Sequence, residues 1–131
     1  MNWHSNMYQS NYLLYIFFTG LTYKIGLVEK RENLDRRFNH LFKGLQQSDA
    51  SIRDKICFAR VYEAKTDRMI KTCETNVLSE LEEHRIPDFK GYLTESFVDT
   101  VSLDVIIESI NKQTRCKLNL LYEDYVPSEK D

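Results

Sequence analysis

A chain of 131 residues with 42% hydrophobic side chains folds most simply as one domain, and its core can close without a metal or a disulfide staple. The formal charge of −2 excludes a whole-molecule attraction for nucleic acid, so any polyanion contact falls to a local cluster of Lys and Arg. Three widely spaced cysteines, Cys57, Cys73 and Cys116, lack the short intervals of zinc clusters and read as free thiols in a reducing compartment.

Residues 1–11 form a polar N-terminal extension with no basic segment leading into an apolar one. It reads as neither a secretory signal nor a membrane span, and a soluble intracellular protein of cytoplasm or nucleus is expected. Residues 12–18 and 21–28 are dense in Tyr, Ile, Leu, Phe and Val, with Thr19-Gly20 between them, which predicts an antiparallel hairpin. Asn33 is placed to cap a following helix whose apolar positions are Leu34, Phe38, Leu41, Phe42 and Leu45. Arg36, His40 and Lys43 fall on its opposite side, either a solvated face or a stripe for nucleic acid. Arg37 lies about 100° round from Arg36, at the edge of the apolar stripe, and is expected to be half sheltered.

Residues 56–63 alternate in the manner of a third strand. The spacing of Met69, Ile70, Cys73, Val77 and Leu81 then predicts a helix from Asp67 to near Arg85, before Pro87 forbids continuation. Glu74 sits one step from Cys73 at the border of the buried stripe, where a carboxylate needs a partner. Glu80 flanks the other border, and spacing does not choose between the two. A last helix is predicted over 101–112, capped by Thr100 or Ser102, with Leu103, Ile106, Ile107 and Ile110 inward. A strand over 116–122 and an acidic tail over 123–131 that frays complete the chain. The expected fold class is α+β: a small three-stranded antiparallel sheet flanked by helices, in one domain over 12–122.

In chain order, Tyr15-Ile16, Tyr23-Lys24-Ile25-Gly26, Arg37-Phe38, Glu74 and Thr94-Glu95-Ser96-Phe97 resemble the GIY-YIG nuclease superfamily. The resemblance is nearest to its phage and viral branch with a Tyr-Lys-Ile-Gly second motif, and it extends over residues 12–98. It implies a GIY-YIG-like fold that hydrolyses phosphodiester bonds in DNA with one divalent metal, Mg²⁺ or Mn²⁺. By matching position it places Tyr15 as the first-motif tyrosine, Arg37 as the family arginine and Glu74 as the metal-binding glutamate. Two positions depart from the pattern: the first motif lacks its usual glycine, and Leu78 stands where related sequences often carry His.

Physical chemistry supports these roles. Phosphodiester hydrolysis near neutral pH needs an oriented water, a cation against the charge growing on the phosphoryl oxygens, and help for the leaving oxygen. Glu74 offers a hard oxygen to Mg²⁺, which keeps most of its waters and uses one or two carboxylates. Arg37 can give two parallel hydrogen bonds to a phosphate. Tyr15 or Tyr23 can orient the water, or accept its proton where nearby cations lower the phenol pKa. Gly26 lets a ligand or the next helix approach the backbone. The second-motif tyrosine aligns with Lys24, and Tyr23 is shifted by one to the other strand face, so one of Lys24 and Tyr23 reaches the site. Glu95 reads as a structural residue that pairs locally, and Phe97 as core.

The function expected is a metal-dependent DNA endonuclease. The alternative is a catalytically degenerate relative, an accessory factor that binds nucleic acid or a protein partner. A third reading is an oligomeric interaction module using Trp3, Tyr8 and the exposed aromatics of the tail. Expected partners are DNA and either a protein or a second copy, with no membrane, and cleavage specificity is expected from such a partner or from the loop over 46–53.

Overall fold

Five consecutive residues of the strand Tyr12–Phe18 (β1), Leu13 to Phe17, are buried. Successive side chains of a strand point to opposite faces, so this sheet is covered on both sides. The computed structural model describes residues 10–18, 22–29, 31–48, 59–113 and 115–125, and its α-helices supply that cover. On one face Leu13, Tyr15 and Phe17 pack with Val28, Ala59 and Val61 beneath Leu34 and Phe38 of the helix Leu34–Ser48 (α1). On the other, Leu14 and Ile16 share a core with Ile70, Cys73 and Val77 of Asp67–Glu80 (α2) and with Ile106 and Ile110 of Leu103–Asn111 (α3).

The remaining strands are Tyr23–Glu29 (β2), Ala59–Glu63 (β3), Arg85–Pro87 (β4), Leu93–Phe97 (β5) and Asn119–Tyr125 (β6). They form one six-stranded sheet in the order β4-β5-β2-β1-β3-β6, every neighbouring pair antiparallel. This corrects the expected small three-stranded sheet: the class is α+β, but β5 and β4 extend the sheet beyond β2, and β6 extends it beyond β3. Pro87 lies in an edge strand, where its missing N–H breaks no ladder. Tyr15 stands opposite Gly26, Phe17 opposite Lys24, and Lys24 in turn opposite Ser96 of β5.

Thr66 caps α2 by accepting from the Met69 amide, and Asp67 ties the helix to the sheet by accepting from the Tyr12 amide at 2.9 Å. The helix stops at Glu80; a 3-10 turn at Glu82–His84 follows, and Arg85, expected as a helix end, opens β4 instead. Ser102, rather than Thr100, caps α3. Asn33 holds the entry to α1 differently from the expected cap: its amide donates to the Glu29 carbonyl at 2.6 Å and its oxygen accepts from Arg36 at 3.1 Å. β6 continues through Tyr125, three residues into the expected tail, because the Tyr125 ring packs on Phe38 and its hydroxyl donates to Asp35. The Thr19-Gly20 turn, residues 49–58 with Cys57, Trp3 and Tyr8, the tail beyond 125, and the Phe42 and Leu45 side chains lie outside the described residues.

Candidate active site

The β1–β2 pairing fixes the floor of the site. Residues directly opposite in an antiparallel pair share a face, so Lys24 and Gly26 stand with Phe17 and Tyr15 beneath α1. The Tyr15 ring meets Phe38 edge-on at 5.0 Å, and Phe38 stacks on Phe17 at 5.4 Å. A Cβ at position 26 would lie 2.5 Å from the Tyr15 hydroxyl oxygen and 2.6 Å from its Cζ. Gly26 therefore makes room for the phenol, rather than for a ligand or the next helix as the sequence suggested.

That phenol oxygen is sealed from solvent and has no hydrogen-bond partner of normal geometry among the described residues. Burial pushes its pKa up; the Arg37 guanidinium beside it pulls the other way, chiefly through charge, and the carboxylates of Glu95 and Glu74 push it up further. Burial and the acids outweigh Arg37, so Tyr15 is a neutral phenol at physiological pH.

Glu74 of α2 is half-buried, and its carboxyl pKa is raised to about 7. Loss of hydration is the main cause, the Glu95 charge the second, and Lys24 opposes both. Lys24 forms an ion pair with Glu95 at 3.3 Å. Side chains from β1, β2, α1, α2 and β5 thus act on one another within one region: Arg37, Glu74 and Glu95 on Tyr15, and Glu95 and Lys24 on Glu74. Among the described residues no three His, Cys, Asp or Glu gather into a fully protein-ligated metal cage. The Glu95 carboxylate lies near enough to oppose the ionisation of Glu74, and two carboxylates match the donor number of a largely hydrated Mg²⁺.

An open cleft of about 440 Å³ is lined by Leu27, Val28, Glu29, Asn33, Arg36, Arg37 and His40. Arg37 is exposed, not half sheltered as expected, because α1 turns it toward this cleft rather than against the sheet. Arg36 and His40 line the cleft with it. Lys43 is exposed one turn further along α1, outside the lining.

The charges of Arg37, Glu95 and Glu74 thus act on the Tyr15 phenol and that of Lys24 on Glu74, whereas the cleft takes in Arg37, Arg36 and His40 and is not lined by Tyr15, Lys24 or Glu74. Tyr23 is on the opposite sheet face, its ring 5.0 Å from Phe18, and burial with the Asp104 charge raises its pKa. Of Lys24 and Tyr23, it is Lys24 that shares a face with Tyr15. Glu80, the other carboxylate flanking the α2 stripe, forms an exposed ion pair with Lys112 at 3.1 Å. Burial pushes the Cys73 thiol up to about 12, so it packs as a small apolar group. Glu95 is the member that sequence reasoning set aside. Its place depends on β5 pairing with β2 through Ser96 and Lys24, a long-range contact with no local signature. No protein-family model matches the chain, and neither a curated protein nor a solved structure does.

Proposed function

We propose that this chain is a divalent-metal-dependent endonuclease that hydrolyses phosphodiester bonds in DNA, in the manner of the GIY-YIG enzymes its motifs resemble. The observation that supports this reading is that the charges of Arg37, Glu95 and Glu74 all act on the Tyr15 phenol, while Lys24 pairs with Glu95 at 3.3 Å and opposes the raised pKa of Glu74. Glu74 and Glu95 would hold Mg²⁺ or Mn²⁺, and a bound cation of this kind polarises a phosphoryl oxygen and acidifies a coordinated water.

The protein's own groups do the rest. Arg37 presents its guanidinium to the cleft, where its planar fork can take two oxygens of one phosphate. Arg36 and His40 border the same cleft and suit the neighbouring phosphates of a strand. Lys24 places a second cation on the Tyr15 face, steadied by Glu95. Tyr15 is a positioning residue: its sealed hydroxyl touches no substrate, and it acts through the adjoining Arg37. Glu74 holds a cation only when ionised, so the affinity of the metal-free site for a cation falls as pH drops below about 7.

A second reading, a degenerate relative that binds nucleic acid or a protein through the same cleft, is favoured by Leu78, which packs against the core where related sequences often carry His. Supercoiled plasmid distinguishes them. A nuclease gives nicked or linear product with Mg²⁺ or Mn²⁺ and none with EDTA. A binder gives no cutting and a metal-independent mobility shift that weakens with salt.

A further inference from the structure

The β4–β5 hairpin ends in a tip, Asp88 to Tyr92, that exposes two aromatic rings outside the lining of the cleft described above: Phe89 is 93% exposed and Tyr92 71%. The tip is pre-formed. The Asp88 carboxylate accepts from the Lys90 amide at 2.8 Å and the Tyr92 amide at 3.0 Å, and the Asp88 amide donates to the Tyr92 carbonyl at 2.7 Å. Gly91, with φ of 88°, takes the left-handed conformation that closes the turn. Arg85 secures the base of the hairpin by donating to the Thr94 carbonyl at 2.8 Å. With the Asp88 carboxylate turned onto the turn's own amides, the outward charge is Lys90, whose ammonium stands 5.6 Å from the centre of the Phe89 ring.

We infer that this tip is a nucleobase-stacking element, which takes unstacked bases of a DNA strand flanking the phosphodiester in the candidate active site. Rings held rigidly in water beside a cation suit a base on a phosphate backbone, because every base offers a π-face and stacking needs no sequence match. Two rings on a five-residue turn bury at most about 500 Å². That falls short of the roughly 800 Å² per partner of a stable protein interface, whereas one base needs only one ring. The tip is also continuous with the site: Tyr92 is three residues before Glu95 on the same chain, about 10 Å at strand rise. The inference rests on the DNA reading of the neighbouring site.

The test uses the full chain with EDTA present and a short single-stranded DNA containing 2-aminopurine, followed by fluorescence and anisotropy. Wild-type protein is expected to bind and to quench the base. Phe89→Ala and Tyr92→Ala each weaken binding about tenfold and reduce the quench, whereas Phe89→Tyr and Tyr92→Phe retain both. Lys90→Gln lowers the salt dependence of binding by about one counterion. The inference is overturned if the alanine variants bind and quench like wild type, if the DNA does not bind, or if the substitutions change only the sedimentation of the protein. Plasmid cutting in Mg²⁺ is scored separately. Cutting without any dependence on the tip removes this inference alone; tip-dependent stacking without cutting removes the enzyme reading and leaves the stacking role in place.

Discussion

Tyr15 holds a buried hydroxyl that gives no hydrogen bond of normal geometry, and a native core retains such a group only at some expense in stability. Tyr15→Phe is therefore expected to leave the protein equally stable or stabler by up to about 1 kcal/mol in denaturant unfolding. The proposed cutting should fall about 10-fold, because the Arg37 guanidinium loses the phenol oxygen that its charge engages. A variant that loses stability and retains full activity would show the hydroxyl to be structural. Glu74 carries the complementary signature. Its carboxyl is raised from 4.5 to about 7 on folding, so between those values the folded chain binds more protons than the unfolded one. Stability attributable to this group is present below the unfolded value and is lost as pH rises through the folded one. Glu74→Gln, which does not titrate, is expected to melt above wild type at about pH 8, with the gap closing toward about pH 4. A pH-independent gap in melting temperature would contradict the raised pKa.

At the scale of elements, the β1–β2 pair depends on one missing Cβ. Gly26→Ala would force its new methyl to 2.5 Å from the Tyr15 oxygen, on a ring already fixed by Phe38. We expect it to lose about 1–3 kcal/mol in chemical denaturation. A wild-type midpoint would mean that the phenol does not lie over position 26. The same pair was legible in the sequence, since aromatic and β-branched density marks both strands, and the periodicity of Ile70, Cys73 and Val77 marked α2. The other strands were hidden for physical reasons. β4 is three residues, Arg-Ile-Pro, directly after a helical pattern. β5 reads Leu-Thr-Glu-Ser-Phe, with Phe97 as its one fully buried side chain, and β6 is mostly exposed. Such strands are recruited by pairing with a neighbour rather than by their own hydrophobic alternation. Without β5 in the sheet, nothing in the sequence sets Glu95 beside Lys24.

Across the whole molecule, two-sided burial of β1 organises the candidate site. α1 on one face brings Arg37 to the phenol, α2 presses on the other, and β5 adds Glu95 at the flank of β2. Tyr15, Arg37 and Glu74 could be nominated from their order along the chain. The choice of Lys24 over Tyr23 needed the strand register, and the exposure of Arg37 needed the rotation of α1 about its axis. With a formal charge of −2, the cleft lined by Arg36, Arg37 and His40 is the local basic surface that the proposed DNA binding would use. The most direct measurement is the rate at which supercoiled plasmid is nicked in Mg²⁺ or Mn²⁺ by wild type, Glu74→Ala and Arg37→Ala, with DNA binding followed in parallel. The account predicts metal-dependent cutting by wild type, loss of cutting in both variants, and retained binding in Glu74→Ala. Cutting by Glu74→Ala at the wild-type rate would contradict it.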